Sequence, residues 1–130
     1  LVGNIDEVKD NSGNTILSGD IKNIGTQRAD FAKVNYPNQF PGMTRPESLA
    51  IASEAAGRTG IICSGGGTLP ADQFLQRLWE QMNTGNCRGA ATGRNIHQKD
   101  IESAVKMTAA CHAIICERAS VEEALNIYNS

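Results

Sequence analysis

The sequence lacks the features that would direct a protein into a membrane or onto a nucleic acid. No apolar run in its 130 residues approaches the roughly 18 residues of a transmembrane helix, and the first residues lack the pattern of a signal peptide. Lys and Arg number 12 against 14 Asp and Glu, which gives a net charge of -2. Without a basic excess, we expect neither a nucleic acid nor a membrane surface as a partner. The remaining composition, 40% hydrophobic and 20% charged, is typical of one globular domain.

Metal-binding and disulfide motifs are also missing. None of the four cysteines has a partner at C-x-x-C spacing, and His97 and His112 stand at no ligand spacing from them. We therefore predict no metal site and interpret all four as small core residues in the reducing environment of the cytoplasm. These cysteines are Cys63, Cys87, Cys111 and Cys116.

Strand–helix units follow a first segment that is harder to interpret. Residues 1–28 are rich in Gly, Asn and Asp, and "DNSGN" at 10–14 predicts a turn that suits either a hairpin or an irregular lead-in. From residue 29 onwards, strands are predicted in "ADFAKVNYP" (29–37), "TGIICSGGG" (59–67) and "CRGAATGRN" (87–95). Helices are predicted at 46–58, 69–85, 99–119 and 120–129, the last with Ser120 as N-cap and Glu123 completing a capping box.

This alternation predicts an α/β fold over residues 29–130, with parallel strands joined by crossover helices. Two architectures fit it: part of a (β/α)₈ barrel, or a small open sheet. Two helices have an apolar face that is expected to pack on the sheet or on a neighbouring helix. The face of the second helix consists of Phe74, Leu75, Leu78, Trp79 and Met82. That of the long helix consists of Ile101, Val105, Cys111, Ile114 and Ile115.

Glycine-containing segments follow two of the predicted strands, where parallel sheets bind ligands. "SGGG" at 64–67 follows the second strand, and the pair Gly93 and Arg94 follows the third. Glycines let backbone N–H groups approach an anion closely, a helix N-terminus adds a favourable dipole, and an arginine adds a charged fork. We predict a phosphate site here. The alternative is that these glycines only permit tight turns.

Lys33 is unusual because its neighbours Phe31, Ala32 and Val34 have the pattern of buried strand residues. A desolvated lysine has a lowered pKa, and its neutral amine attacks carbonyl groups to form a Schiff base. The alternative is a strand lysine that extends its ammonium to water or pairs with Asp30 or another carboxylate. Proximity to a phosphate site favours the nucleophile. Tyr36 lies three residues on, so strand alternation points it away from Lys33, and we interpret it as a packing residue.

Together these segments carry a family resemblance. "ADFAKVNYP", followed by "GRTGIICSGGGTLPADQFLQRLWEQMNTGNCRGAATGRNIHQ" and the long helix, resembles the last third of archaeal-type class I fructose-bisphosphate aldolases, from about residue 27 to about residue 119. These are (β/α)₈ barrels, so the resemblance implies that the chain corresponds to their C-terminal strand–helix units. It implies that Lys33 forms the Schiff base. It also implies that Ser64, Gly65, Gly66, Gly93 and Arg94 hold the substrate phosphate.

The resemblance implies reversible cleavage of a ketose phosphate to dihydroxyacetone phosphate and an aldehyde, with no cofactor. The family's acid/base tyrosine and acidic residue lie in earlier strands and have no counterpart here. The expected partners are therefore a phosphorylated sugar and either further copies of the chain or an N-terminal half of the barrel. Two alternatives stay open within that reading: a thiolase- or transaldolase-like enzyme acting on another phosphorylated ketone, and a non-catalytic fragment that binds sugar phosphate. A third is a barrel of the isomerase or epimerase type.

Overall fold

The computed structural model describes residues 7–9, 12–13, 15–18 and 29–130. No helix in that part of the chain is both long and apolar enough to cross a bilayer. In chain order the elements are β1 (Glu7–Lys9), β2 (Thr15–Ser18), β3 (Phe31–Val34), α1 (Arg45–Ala55), β4 (Gly60–Ser64), α2 (Ala71–Asn83), β5 (Gly89–Ala91), α3 (Gly93–His97), α4 (Ile101–Glu117) and α5 (Val121–Asn129).

The described strands form two sheets. β3, β4 and β5 lie in that order in a parallel sheet, and each is joined to the next through a helix, which confirms the predicted alternation. β1 and β2 pair antiparallel, so the hairpin is the correct alternative for the described part of the first segment. The rest of the 1–28 segment, apart from 12–13, lies outside the described residues.

Helix α3 was not predicted, and it shortens the third strand. The predicted segment 87–95 contains only the three residues of β5, after which α3 occupies Gly93–His97. His97 therefore ends a helix. Thr92 precedes α3 without a side-chain capping bond, so the sequence carried no start signal for this single turn and a half. The predicted capping box of Ser120 and Glu123 is confirmed at the start of α5, and α1 and α4 begin within two residues of their predicted starts at 46 and 99.

The parallel sheet has one covered face and one open face, because neighbours along a strand point to opposite sides. On the covered face, five buried residues pack together: Val34, Leu49, Ile61, Cys63 and Cys87. The strand residues of the open face are Phe31 and Lys33 of β3, Gly60, Ile62 and Ser64 of β4, and Gly89 and Ala91 of β5. The prediction that Phe31 is buried is wrong: it is 55% exposed, because no second layer of the described chain lies on this face.

A second core cluster joins α2, α4 and α5. Its buried members are Phe74, Leu75, Leu78, Met107, Ala110, Cys111, Ile114 and Ala124, and Trp79, Met82 and Ile115 pack on it partly buried. The apolar face of α2 is thus confirmed. On α4 the prediction is wrong for Ile101 and Val105, which are 85% and 63% exposed. At 3.6 residues per turn these two lie about half a turn from Ile114, on the opposite side of the helix.

The cysteines follow the prediction with one exception. Cys63, Cys87 and Cys111 are buried, and burial raises the pKa of the Cys111 thiol to about 11, as expected for a cysteine that acts as a small hydrophobic residue. Cys116 is exposed, so its interpretation as a core residue is wrong. It lies in the last turn of α4, beyond the part of that helix that packs on α2 and α5.

Two isoleucines of α4 give a matched test of this packing. Ile114 is 1% exposed and Ile101 is 85% exposed. Ile114→Ala is expected to lower the free energy of unfolding by about 2–5 kcal/mol, through lost apolar burial and a cavity. Ile101→Ala is expected to change it by less than about 0.5 kcal/mol. Urea denaturation of both variants checks this, and equal losses would contradict the described core.

Candidate active site

The candidate residues meet at the carboxyl edge of the parallel sheet. Lys33 is paired in register with Ile62, which is paired with Gly89, while Ser64 is paired with Ala91. Lys33 and Ser64 therefore lie on the same open face, on neighbouring strands, with Ser64 one pleat nearer the carboxyl edge. The loops that follow Ser64 and Ala91 begin at that edge. The structure thus brings the candidate nucleophile and both candidate phosphate loops to one side of the molecule.

Lys33 is exposed, so the expectation of a buried and desolvated ammonium is wrong for the described chain. The reason is the same as for Phe31: nothing in the described chain covers the open face. Neither of the ion pairs among the described residues involves Lys33, so the alternative of a lysine paired with Asp30 finds no contact either. Lys33 therefore projects from the open face of β3, an edge strand of the described sheet, and has no ion-pair partner among the described residues.

Several hydrogen bonds connect the two candidate phosphate loops. The N–H group of Gly65 donates to the carbonyl oxygen of Ala91 at 2.7 Å, which continues the β4–β5 pairing into the loop. Farther along, the Thr68 hydroxyl donates to Oε1 of Gln98 at 2.6 Å. The segment after β4 and the segment after β5 therefore form one joined unit.

Asn95 makes the remaining contacts between these loops, and sequence analysis gave it no role. Its side chain is 1% exposed. Oδ1 accepts the N–H of Leu69 at 2.9 Å, and Nδ2 donates to the carbonyl oxygens of Gly67 at 3.1 Å and Gly65 at 3.5 Å. Its only sequence signal was an amide residue directly after the Gly93 and Arg94 pair.

The candidate glycines differ in whether their positions in the structure require a glycine. A Cβ on Gly65 would lie 2.5 Å from the carbonyl oxygen of Ala91, so packing alone explains that glycine. Gly66 has a φ of +69°, a conformation that side chains disfavour. Gly93 meets neither condition, since a Cβ there would contact nothing within 4 Å. The tight-turn explanation therefore accounts for Gly65 and Gly66 but leaves Gly93 unexplained.

The joined loops expose polar groups that are free to bind an anion. In the described part of the chain, the backbone N–H groups of Gly66 and Gly67 make no hydrogen bond. The guanidinium of Arg94 is exposed and likewise has no ion-pair partner there. Backbone N–H groups and an arginine are the usual donors to a phosphate. Both kinds of donor are present on the two joined loops.

Tyr36 lies on the other side of the sheet from Lys33, as predicted. Its ring packs on the covered-face cluster and under the guanidinium of Arg45, 4.2 Å from the ring centroid. Its hydroxyl donates to Oε2 of Glu80 at 3.3 Å. Burial, and then the Glu80 carboxylate, raise the pKa of Tyr36 above its ordinary value, which makes the phenol a poorer proton donor. Tyr36 is thus a packing residue.

A cleft of about 600 Å³ between α1 and α2 contains none of the predicted site residues. Its polar groups bond to one another: besides the Tyr36 contact, Glu80 accepts from Gln76 at 2.9 Å, and Arg45 donates to the carbonyl oxygen of Pro37. These bonds explain the cleft as helix packing.

Two glycines provide a matched test of the loop geometry. Gly65→Ala forces a Cβ against the backbone of Ala91, which cannot move without breaking the β4–β5 pairing. We expect phosphate affinity to fall at least about tenfold and stability by about 1–3 kcal/mol. Gly67→Ala places its Cβ in a space free of protein atoms, so its stability should stay close to that of the unmodified chain. Calorimetric titration of Gly65→Ala with inorganic phosphate and urea denaturation of both variants measure these effects. Equal stability of the two variants would refute the packed loop.

Comparison with known proteins also indicates an aldolase. A family profile described as "DeoC/LacD family aldolase" matches residues 21–99. The chain is 43% identical over 121 residues to a Methanocaldococcus jannaschii protein named fructose-bisphosphate aldolase/6-deoxy-5-ketofructose 1-phosphate synthase, covering 93% of this chain and 38% of that protein. It is 34% identical over 97 residues to a fructose-bisphosphate aldolase class 1 of Halobacterium salinarum, covering 75% of this chain and 34% of that protein.

A solved structure supports the fold. A fructose-bisphosphate aldolase from Slackia heliotrinireducens superimposes with a TM-score of 0.76 and 48% sequence identity, over 78% of this chain and 32% of that one. This likeness confirms the barrel alternative: the three parallel strands are part of an aldolase-type (β/α) barrel. The chain spans less than two-fifths of the length of each of these relatives.

Proposed function

Since the chain belongs to the DeoC/LacD aldolase family, we propose that it supplies the nucleophile and the phosphate site of a class I fructose-bisphosphate aldolase. The observation that carries the proposal is the shared edge of the sheet, where Lys33 and Ser64 lie on one face and the loops after β4 and β5 are joined. The names of the relatives support the same reaction.

In this proposal Lys33 reacts with the ketone of the sugar phosphate. The Nζ lone pair attacks the carbonyl carbon, the resulting carbinolamine loses water, and a protonated imine forms. With the imine at C2 of the sugar, a base removes the proton of the C4 hydroxyl, and the C3–C4 bond breaks as C4 becomes the carbonyl of the leaving aldehyde. The electron pair of that bond forms the C2–C3 double bond of an enamine, while the π pair of the imine moves to nitrogen. Protonation of the enamine and hydrolysis of the imine release dihydroxyacetone phosphate and restore the amine. No metal is needed, since the imine nitrogen accepts the electrons.

The joined loops would hold the substrate phosphate during these steps. N–H groups of Gly66 and Gly67 donate to its oxygens, and Arg94 neutralises its charge. Ser64 lies on the open face, between Lys33 and the start of the loop after β4. Fixing the phosphate fixes the ketone carbon against Nζ, and such positioning is a large part of what an enzyme contributes to a reaction between two groups.

The Methanocaldococcus jannaschii relative favours a second candidate. Its name includes 6-deoxy-5-ketofructose 1-phosphate synthase, so this relative is also named for the synthesis of a second phosphorylated ketone. A Schiff base at Lys33 would serve that chemistry equally, with a different acceptor aldehyde. Product analysis separates the two: dihydroxyacetone phosphate and an aldehyde from fructose 1,6-bisphosphate support the first candidate.

We also propose that the site is completed by strand–helix units that the longer relatives have and the described chain does not. The open face, the free edges of β3 and β5, and the exposed apolar side of α4 all lie where a barrel continues. Those units would cover the open face, remove water from around Lys33 and provide acid/base groups. They belong either to the same polypeptide or to a separate one.

Borohydride reduction in the presence of dihydroxyacetone phosphate tests the proposed function. Only an imine between Lys33 and the ketone is reduced to a stable adduct, whereas an isomerase or epimerase that uses the lysine as a charge leaves none. An adduct on the peptide that contains Lys33 supports the aldolase, and adducts spread evenly over the lysines contradict it.

A further inference from the structure

Asn95 combines deep burial with three hydrogen bonds to a single loop. A buried amide is costly unless its donors and acceptors are all used. Here the partners are the N–H of Leu69 and the carbonyl oxygens of Gly67 and Gly65. All three belong to the loop between β4 and α2, while Asn95 itself lies in α3, after β5. One side chain thus holds two chain segments that are 26 to 30 residues apart in sequence.

The held carbonyls enclose the candidate anion-binding backbone. The carbonyl of Gly65 shares a peptide group with the N–H of Gly66, and the carbonyl of Gly67 belongs to the peptide that follows Gly67, so the two bonds hold both ends of the segment that carries the N–H groups of Gly66 and Gly67. In the other direction, Asn95 follows Arg94 directly in the chain. Its amide therefore sets the distance between the loop N–H groups and the arginine.

We propose that Asn95 is a positioning residue of the phosphate site, a role that rests on the proposed function. It acts through the loop and through Arg94 and does not touch the substrate. An asparagine is needed because its planar amide provides one acceptor and two donors on opposite sides. Aspartate supplies the acceptor without the donors at neutral pH. Alanine supplies neither and leaves three backbone groups without partners.

Sulfate is the appropriate probe because its charge stays constant over the pH range used. At pH 7.5, Asn95→Ala and Asn95→Asp are each expected to bind sulfate at least about tenfold more weakly than the unmodified chain. Lowering the pH should restore binding to Asn95→Asp alone, because a protonated carboxyl group again donates to a loop carbonyl, and burial raises the pKa of such a group. A residue that only fills space would show no such recovery.

Hydrogen exchange of the Gly65 and Leu69 amides, which are hydrogen-bonded to Ala91 and Asn95, separates the outcomes. Asn95→Ala should increase their exchange, whereas Arg94→Ala should weaken sulfate binding and leave their exchange unchanged. Unchanged sulfate affinity in both Asn95 variants overturns the positioning role. If the unmodified chain binds no sulfate although its loop amides are protected from exchange, the proposed phosphate site is refuted. The positioning role is then refuted as well.

Discussion

Replacing Lys33 by Arg is expected to abolish the borohydride-trapped adduct with dihydroxyacetone phosphate. Arginine keeps the positive charge and much of the length, but its guanidinium does not form an imine under these conditions. The proposed mechanism has no route around the imine, so turnover should fall by several orders of magnitude. The measurement is mass spectrometry of tryptic peptides after reduction, combined with an aldol-cleavage assay on the chain assembled with the rest of a barrel.

A matched lysine shows that the effect is specific. Lys99 is partly buried and contacts the Tyr128 hydroxyl at 3.3 Å, away from the sheet. Lys99→Arg should leave both the adduct and turnover close to normal. Excess inorganic phosphate should suppress the adduct on Lys33 by competing for the joined loops. An assembled protein that cleaves its substrate without a trappable adduct would falsify the Schiff-base mechanism.

The exposure of Lys33 changes what the adduct experiment should show. In the described chain alone Lys33 is exposed, so nothing on the open face holds the ketone of a substrate against Nζ. Covering the open face would supply that missing wall. Adduct formation should therefore be slow in the chain alone and faster once the remaining strand–helix units are added. The difference between the two rates measures how much the missing layer contributes.

The sequence predicted the order and pairing of the strand–helix units because these depend on local signals. Alternating apolar runs, helix caps and glycine-containing turns placed β3, β4 and β5 within a few residues of their observed bounds. Burial was less predictable, because it depends on what lies across the sheet. Phe31 and Lys33 have the pattern of an interior strand, and in an aldolase-type barrel they would be interior. The described chain lacks the layer that would make them so.

The candidate site shows the same division between local and long-range information. Motif order and the family resemblance predicted its six residues, and the structure places them at one edge. Asn95 was missed because its importance lies in bonds to residues 26 to 30 positions away, which no local pattern encodes. The same limit explains why the apolar residues of α4 were predicted to share one face. The sequence shows that these residues are apolar, but only the packing shows that Ile114 contacts α2 and α5 while Ile101 and Val105 lie on the other side of the helix.

The exposed side of α4 is therefore a second apolar surface of this helix. Ile101, Ala104, Val105, Thr108, Ala109 and His112 line a shallow apolar depression of about 510 Å³. The opposite side of α4 already packs on α2 and α5. In a barrel each helix has a neighbour on both sides, so we propose that a helix of the remaining units occupies this surface. The length of the relatives accounts for such a helix.

Placing charge on this surface should prevent assembly without unfolding the chain. The double variant Ile101→Glu with Val105→Glu puts two carboxylates where two apolar side chains would be buried, and burying an unpaired charge is costly. We expect association with the remaining part of the Methanocaldococcus jannaschii relative to weaken at least about 100-fold, as measured by analytical ultracentrifugation. The circular dichroism spectrum should be unchanged, since both side chains are exposed in the described chain.

A control adds the same charge elsewhere. Asn126 and Asn129 are exposed on α5, so replacing both by Glu should leave association unaffected. If the unmodified chain instead self-associates, and the α4 variant abolishes only that, the surface binds a second copy and the proposed occupant is wrong. If association with the remaining barrel units survives in the α4 variant, those units dock through the sheet edges alone. Loss of association in that variant and not in the control would show that α4 is where the barrel closes, and that closure brings Lys33 into the interior.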